Sequence, residues 1–253
     1  MDWNEIKKGL VYRHPWELSR TRKVTSVLNK IISSGIQDQH KFIDVGAGDM
    51  FFDFNWKKLY PKSVCYAVDI GYGPNCHQKN ESTSACLKFY SVDQIQDREF
   101  DFALMLDSLE YFDDEVEYLN QLKQYIKING YLLLVVPAFS RLYSDHDRHA
   151  KLLRRYDFDE LREIIEKVDG IEICYDQYFY FSLLLVRGFQ KLFKIKIDPN
   201  EKLTTGWKYS EQHIISKMVV GILNIDFSLQ TLLRKLGLRV PGLSILVLCK
   251  KTK

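Results

Sequence analysis

Short apolar runs alternate along this chain with segments whose apolar positions recur every three or four residues. Lys41-Phe42-Ile43-Asp44-Val45 leads into Gly46-Ala47-Gly48, which reads as a buried parallel strand turning at a glycine corner. Further strands are predicted at Val64–Asp69, Leu87–Val92, Phe100–Leu106 and Tyr131–Val136, the last stopped by Pro137. Before the corner, Leu18, Val24, Val27, Leu28, Ile31 and Ile32 mark an amphipathic helix that opens near Pro15 and stops at Ser33-Ser34-Gly35. Met50 to Leu59 reads as a short helix broken before Pro61. A second helical period through Val116, Leu119, Leu122, Tyr125 and Ile126 ends at Asn129-Gly130, read as its C-cap. Strands separated by helical or loop crossovers predict an α/β protein with a doubly wound, mostly parallel sheet.

Composition narrows this little. A chain of 253 residues suits one α/β domain (1–253) with a sizeable core, and 46% hydrophobic with 27% charged residues is ordinary for a globular protein. A net charge of +3 gives no argument for nucleic acid. The N-terminus lacks a signal-peptide pattern, and no unbroken apolar run reaches the length that spans a bilayer. The five cysteines form no C-x-x-C pair and read as free thiols of a cytoplasmic protein; Cys76-His77 is a weak metal suggestion, and no metal is expected.

Candidate chemistry gathers where the predicted strands end. Glycines at 46 and 48 let backbone approach a ligand with no Cβ in the way, which makes the corner the floor of a nucleotide-like pocket. Asp69 follows the second strand about 25 residues after Asp44, the length of one strand-helix-strand unit. A carboxylate there accepts both hydroxyls of a ribose, with Ile70 beside it.

Asp44-Val45-Gly46-Ala47-Gly48 resembles the first motif of class I S-adenosylmethionine-dependent methyltransferases. The resemblance implies a Rossmann-like sheet of seven strands with the last antiparallel, and S-adenosyl-L-methionine as cofactor. It places Asp93 (with Gln94 as a neighbouring substitute) at the adenine, and Asp107 and Glu110 at the methionine end and acceptor mouth. It makes residues 1–40 a helical lid. Trp16 and Arg20 then either face the pocket or sit on a covering helix without ligand contact.

From Phe100 to about Phe189 the chain is similar to a bacterial methyltransferase group associated with surface-polysaccharide and lipid-linked sugar pathways. The matching stretches are Asp107-Ser108-Leu109-Glu110-Tyr111, Gly130 to Ala138, Leu142-Tyr143-Ser144, Asp147 and Arg154-Arg155-Tyr156. The departures are Met50 at the third glycine of the first motif, and Tyr111, Phe139 and Leu152 at three histidine positions. Any general base inherited from the group is thereby put in doubt, and His146, flanked by carboxylates, is the candidate base; a solvated loop histidine is the alternative. Arg154 and Arg155 either clamp an anion on the acceptor or start the next helix, and Tyr111 and Tyr156 line the acceptor side.

Strands are also predicted at Ile171–Tyr175 and Leu243–Cys249, and the roughly 65 residues between them exceed a simple loop. This insertion, 178–240, holds helix candidates at 179–193 and at 210–236, the second with a break around 221–226. The first is apolar enough to cover the acceptor pocket or a homodimer interface. Lys191, Lys194 and Lys196 beside it also suit peripheral contact with the inner membrane face. The leading reading is methylation of an oxygen or nitrogen on a small polar or saccharide acceptor, phosphorylated or not. A non-catalytic binding protein of the same fold is the alternative. A nicotinamide oxidoreductase would need glycine at 51, where Phe51 stands.

Overall fold

The computed structural model describes residues 12–32, 39–74, 86–192 and 207–253. The Ser33-Ser34-Gly35 stop, the Cys76-His77 pair, Lys194 and Lys196 lie outside the described residues. Helix α1 (Pro15–Ile32) precedes β1 (Lys41–Val45), α2 (Phe51–Leu59), β2 (Val64–Val68), β3 (Cys86–Phe89) and β4 (Phe100–Leu106). Then come α3 (Glu115–Lys123), β5 (Ile126–Pro137), α4 (Asp145–His149), α5 (Phe158–Glu166) and β6 (Ile171–Phe179). The chain closes with α6 (Phe181–Leu192), α7 (Ile214–Lys235) and β7 (Ser244–Lys251).

The strands form one seven-stranded sheet in the order β3-β2-β1-β4-β5-β7-β6, with β7 antiparallel to both of its neighbours and the other pairings parallel. From β1 the chain moves outward through β2 to β3, then returns to place β4 on the other side of β1. That reversal leaves a crevice beyond the carboxyl ends of β1 and β4, where a doubly wound sheet binds its ligand.

Successive residues of each strand face opposite sides and feed two cores. Ile43, Val45, Met105 and Leu134 pack on one side with Leu119, Leu122, Leu161 and Ile165 of α3 and α5. Phe42, Leu104, Leu133 and Val135 pack on the other with Val24 and Leu28 of α1, Trp56 of α2 and Leu223 and Phe227 of α7. Every residue of β4 is buried, so its near-continuous apolar run follows from having a helix layer on each face. Trp56, fully buried, donates its indole N–H to His40 Nε2 at 2.5 Å; truncating such a side chain to alanine costs roughly 3–5 kcal/mol.

Three expectations change. The helix after β4 ends at Lys123, and β5 already begins at Ile126, which pairs with Phe100 across an irregularity in register. Asn129, at φ 63°, and Gly130 therefore shape a strand irregularity instead of capping a helix. A Cβ on Gly130 would sit 2.6 Å from Ile126 Cγ2. In the insertion, β6 runs on to Phe179 and α7 is continuous through Gly221. By length and composition α7 could also cross a bilayer, where no run of that length was expected. Here it lies against α1 and β6 with Ser216 and Gln230 buried.

Candidate functional site

The corner after β1 is built by backbone. The N–H groups of Gly46 and Ala47 both donate to Val68 O, tying the turn to the end of β2. Gly46 adopts φ +78°, and a Cβ there would come within 2.5 Å of Ser108 Cβ, so glycine is required by the close approach of the segment after β4. Ser108 Oγ donates to Val45 O at 2.7 Å and locks the two strand ends together. Gly48 is also left-handed, at φ 52°. Its N–H donates to Asp69 Oδ2 at 2.9 Å, while Asp69 Oδ1 accepts from Gly71 N–H at 2.7 Å. Each carboxylate oxygen keeps a lone pair for a further donor, so the orientation a ribose diol needs is set in advance.

Met50, at the position where the related motif carries its third glycine, still adopts the left-handed conformation at φ 61° and ψ 29°. The backbone demand persists without the glycine, at a cost of about 1 kcal/mol, and the Met50 side chain is buried in the core beside α2.

Under the corner lies an acidic pair. Among the described residues, Asp44 Oδ1 and both carboxylate oxygens of Asp53 find no donor. Burial first, then the neighbouring Asp53, pushes Asp44 well above the carboxylate range, and burial pushes Asp53 up to about 7. A buried carboxyl pair of this kind retains a proton near neutrality.

The lid helix meets the corner through its cations. Arg20 pairs with Asp107, just past β4, and its guanidinium stacks on Trp16 at 4.8 Å. Arg13 pairs with Asp49 and with Glu17, and lies over the Phe51 ring at 3.8 Å. Tyr180, at the start of the insertion, donates its hydroxyl to Trp16 O at 2.9 Å. Arg20 thus lies against the segment after β4, with Trp16 beside it. Burial pushes the Asp107 carboxyl up while Arg20 pulls it back down. Glu110, buried behind it, is pushed well above the carboxylate range, by burial and then by Asp107.

Two candidates stand at the other rim of the crevice. Ile70 is 78% exposed on the turn after Asp69. Asp93 is exposed on the turn Val92–Gln94, its carboxylate accepting from Ser91 Oγ at 3.2 Å.

Beyond β5 the chain forms a braced loop. Arg155 is buried and forks onto Asp147, with Nε–Oδ2 at 3.0 Å and Nη2–Oδ1 at 2.7 Å, and its third nitrogen donates to Ala138 O. Asp147 also caps α4 by accepting from Ser144. Arg155 was a candidate anion clamp; with its donors turned inward, it holds the loop closed instead. Tyr156 is likewise fully buried, its hydroxyl on Glu115 Oε1, and it braces α3 where an acceptor contact was expected. Arg154 is partly exposed and paired with the same carboxylate at 2.7 Å, and Tyr111 is exposed.

His146 lies on α4, half-buried. Burial first, then the charge of Arg187 on α6, lowers its pKa, so the imidazole is neutral at pH 7. Arg187 itself is lowered by burial and by Arg155. Sequence reasoning passed over Arg187; its only signal was a lone cation ending the apolar run Leu183-Leu184-Leu185-Val186.

Comparison with known proteins agrees with this geometry. Residues 43–134 match the family model described as a methyltransferase domain. A search of curated proteins gave no match. Among solved structures, a protein described as a candidate sarcosine dimethylglycine methyltransferase from Galdieria sulphuraria is similar at TM-score 0.55 and 12% identity, over 93% of this chain and 86% of that one. The plantazolicin methyltransferase BamL, solved with a triazolic desmethylPZN analog and SAH, is similar at TM-score 0.54 and 11% identity, over 92% and 85%. Identities this low speak for the fold, and the matched domain covers the corner, Asp69, Asp93 and Asp107. Residues 43–134 therefore form a methyltransferase domain, which implies S-adenosylmethionine as the cofactor.

Proposed function

We propose that this enzyme transfers the methyl group to an oxygen or nitrogen of a small polar or saccharide acceptor that carries a phosphate or other anion. What supports this reading is that His146 on α4 feels the charge of Arg187 of the insertion, both following strands at the carboxyl edge of the sheet where the glycine corner also lies. A neutral imidazole suits removal of an acceptor proton. Arg187 has no ion-pair partner among the described residues, and the nearby Asp147 is already engaged by Arg155, so an anionic acceptor group would supply the charge that Arg187 lacks. The resemblance of residues 100–189 to the polysaccharide-associated group supports a sugar acceptor.

S-adenosylmethionine, when bound, supplies a methyl group already activated on a sulfonium. Gly46 and Gly48 would hold its amino-acid end by backbone, Asp69 its ribose, and the Asp93 turn its base. Arg20 and Asp107 would frame the methionine side. The protein's remaining task is to align the nucleophile and accept its proton at His146 Nδ1 or Nε2.

The test is methyl transfer to a panel of phosphorylated and neutral sugars and amines, with wild type, His146→Ala and Arg187→Ala. His146→Ala is expected to lower kcat about 10²-fold with SAH affinity unchanged, and Arg187→Ala to raise KM for the anionic acceptors alone. Cofactor binding with no turnover on any acceptor would instead favour a non-catalytic member of the fold, a reading the three replaced histidine positions keep in view.

A further inference from the structure

Helix α7 is more apolar outside than inside. Its buried face carries Ser216 and Gln230 beside Val220, Leu223 and Phe227. Ser216 meets Trp207 Nε1, and Gln230 donates to the carbonyls of Val240 and Pro241. Its outer face and the C-cap residue Leu236 form an exposed row, Ile215, Met218, Ile222, Ile225, Leu229, Leu232 and Leu236, at 38% to 70% of their surface. The spacing of these seven is 3, 4, 3, 4, 3, 4, a heptad seam. With on the order of 700 Å² of apolar surface, the row exceeds the roughly 300–600 Å² of the largest patch on a typical monomer. It approaches the ~800 Å² per partner of a standard interface.

We infer that this seam is the interface of a homodimer in which α7 pairs antiparallel with α7 of a second copy. The row is symmetric about Ile225 to within one residue, its members lying 3, 7 and 10 positions before it and 4, 7 and 11 after. Laid antiparallel on itself, Ile225 meets its mate, Ile222 meets Leu229, Met218 meets Leu232 and Ile215 meets Leu236. Such self-complementarity is what a twofold interface requires. Gly221 and Ser228 flank the seam seven residues apart. A Cβ on Gly221 would meet nothing within 4 Å in this chain, so the protomer's own packing does not explain a helix-interior glycine that costs about 1 kcal/mol. A neighbouring helix approaching closely would explain it.

A lipid surface fits less well. Membrane-surface helices flank their apolar face with Lys and Arg along its length, whereas on α7 Lys217, Arg234 and Lys235 stand only at the ends, and the one charged residue between them is Asp226, which accepts from Ser182. The seam also stands behind the lid, because α7 holds α1 through Ser19 to Asn224 and Lys23 over Phe227. Dimerisation would therefore steady the helix that carries Arg20.

Sedimentation velocity on the full chain without detergent tests this. Wild type is expected at twice the 29.9 kDa of one chain, and Ile225→Glu at 29.9 kDa with unchanged circular dichroism and thermal midpoint. Ile222→Glu and Leu229→Lys should each raise the dimer Kd at least about tenfold, and together restore it, since each Glu then faces a Lys across the axis. A monomeric wild type overturns the proposal, whether it binds phosphatidylglycerol vesicles or loses thermal stability on Ile225→Glu because a segment of its own chain covers the seam. Failure of the double variant to restore the dimer overturns the antiparallel pairing.

Discussion

Two arginine–aspartate pairs stand at the working edge of the sheet, and their surroundings differ. Arg155 and Asp147 belong to one loop, expose 6% and 2% of their side chains, and meet through two parallel hydrogen bonds with Ala138 O as a third partner. Arg20 and Asp107 come from different elements, the lid and the end of β4, expose 13% and 26%, and meet through a single nitrogen. The first pair is enclosed and saturated, so removing either member strands a buried charge. The second joins the lid helix to the segment after β4 at the mouth of the crevice and keeps more of its surface in solvent. Similar residues thus divide between bracing the loop after β5 and joining α1 to the end of β4.

Breaking each pair separates these roles. Arg155→Ala should destabilise the protein by roughly 3–5 kcal/mol in urea unfolding, through the stranded Asp147. Gly46→Val should cost about 2–4 kcal/mol, because its side chain would enter the space of Ser108 while holding a left-handed backbone. Arg20→Ala should destabilise the protein less than Arg155→Ala, since Asp107 keeps more of its surface in solvent, yet weaken SAH binding about tenfold or more, as expected for loss of a charged hydrogen bond.

A further effect, read against pH, concerns the acidic pair beneath the corner. Asp53 is raised to about 7, so the folded state binds a proton that the unfolded chain releases near pH 4. Stability from this group is therefore complete below about pH 4 and is lost as pH rises towards 7, by at most ~1.4 kcal/mol per pH unit. Asp44, raised further, carries the trend to higher pH. Asp53→Asn should flatten the slope of unfolding free energy against pH over that window.

What the sequence made legible was local. The glycine corner and Asp69 are read from a strand, two glycines and a spacing, and the same short range fixes their geometry. Asn129-Gly130 misled because a positive φ serves a helix C-cap and a strand irregularity equally well, and pairing of Ile126 with Phe100 decides between them. Arg155 looked like an anion clamp because nothing in its neighbourhood in sequence says that Asp147 will enclose it. Arg187 and the Asp44–Asp53 pair become visible only when distant elements dock. In α7 the apolar period was readable, but the buried side was not, since the fold buries the more polar face.

Titration calorimetry of SAH into wild type and Arg20→Ala tests most directly that the corner and its lid form one cofactor site. Wild type should bind one equivalent per chain, and Arg20→Ala should bind about tenfold or more weakly with the same stoichiometry. No binding to wild type, or equal affinity in the two proteins, would contradict it.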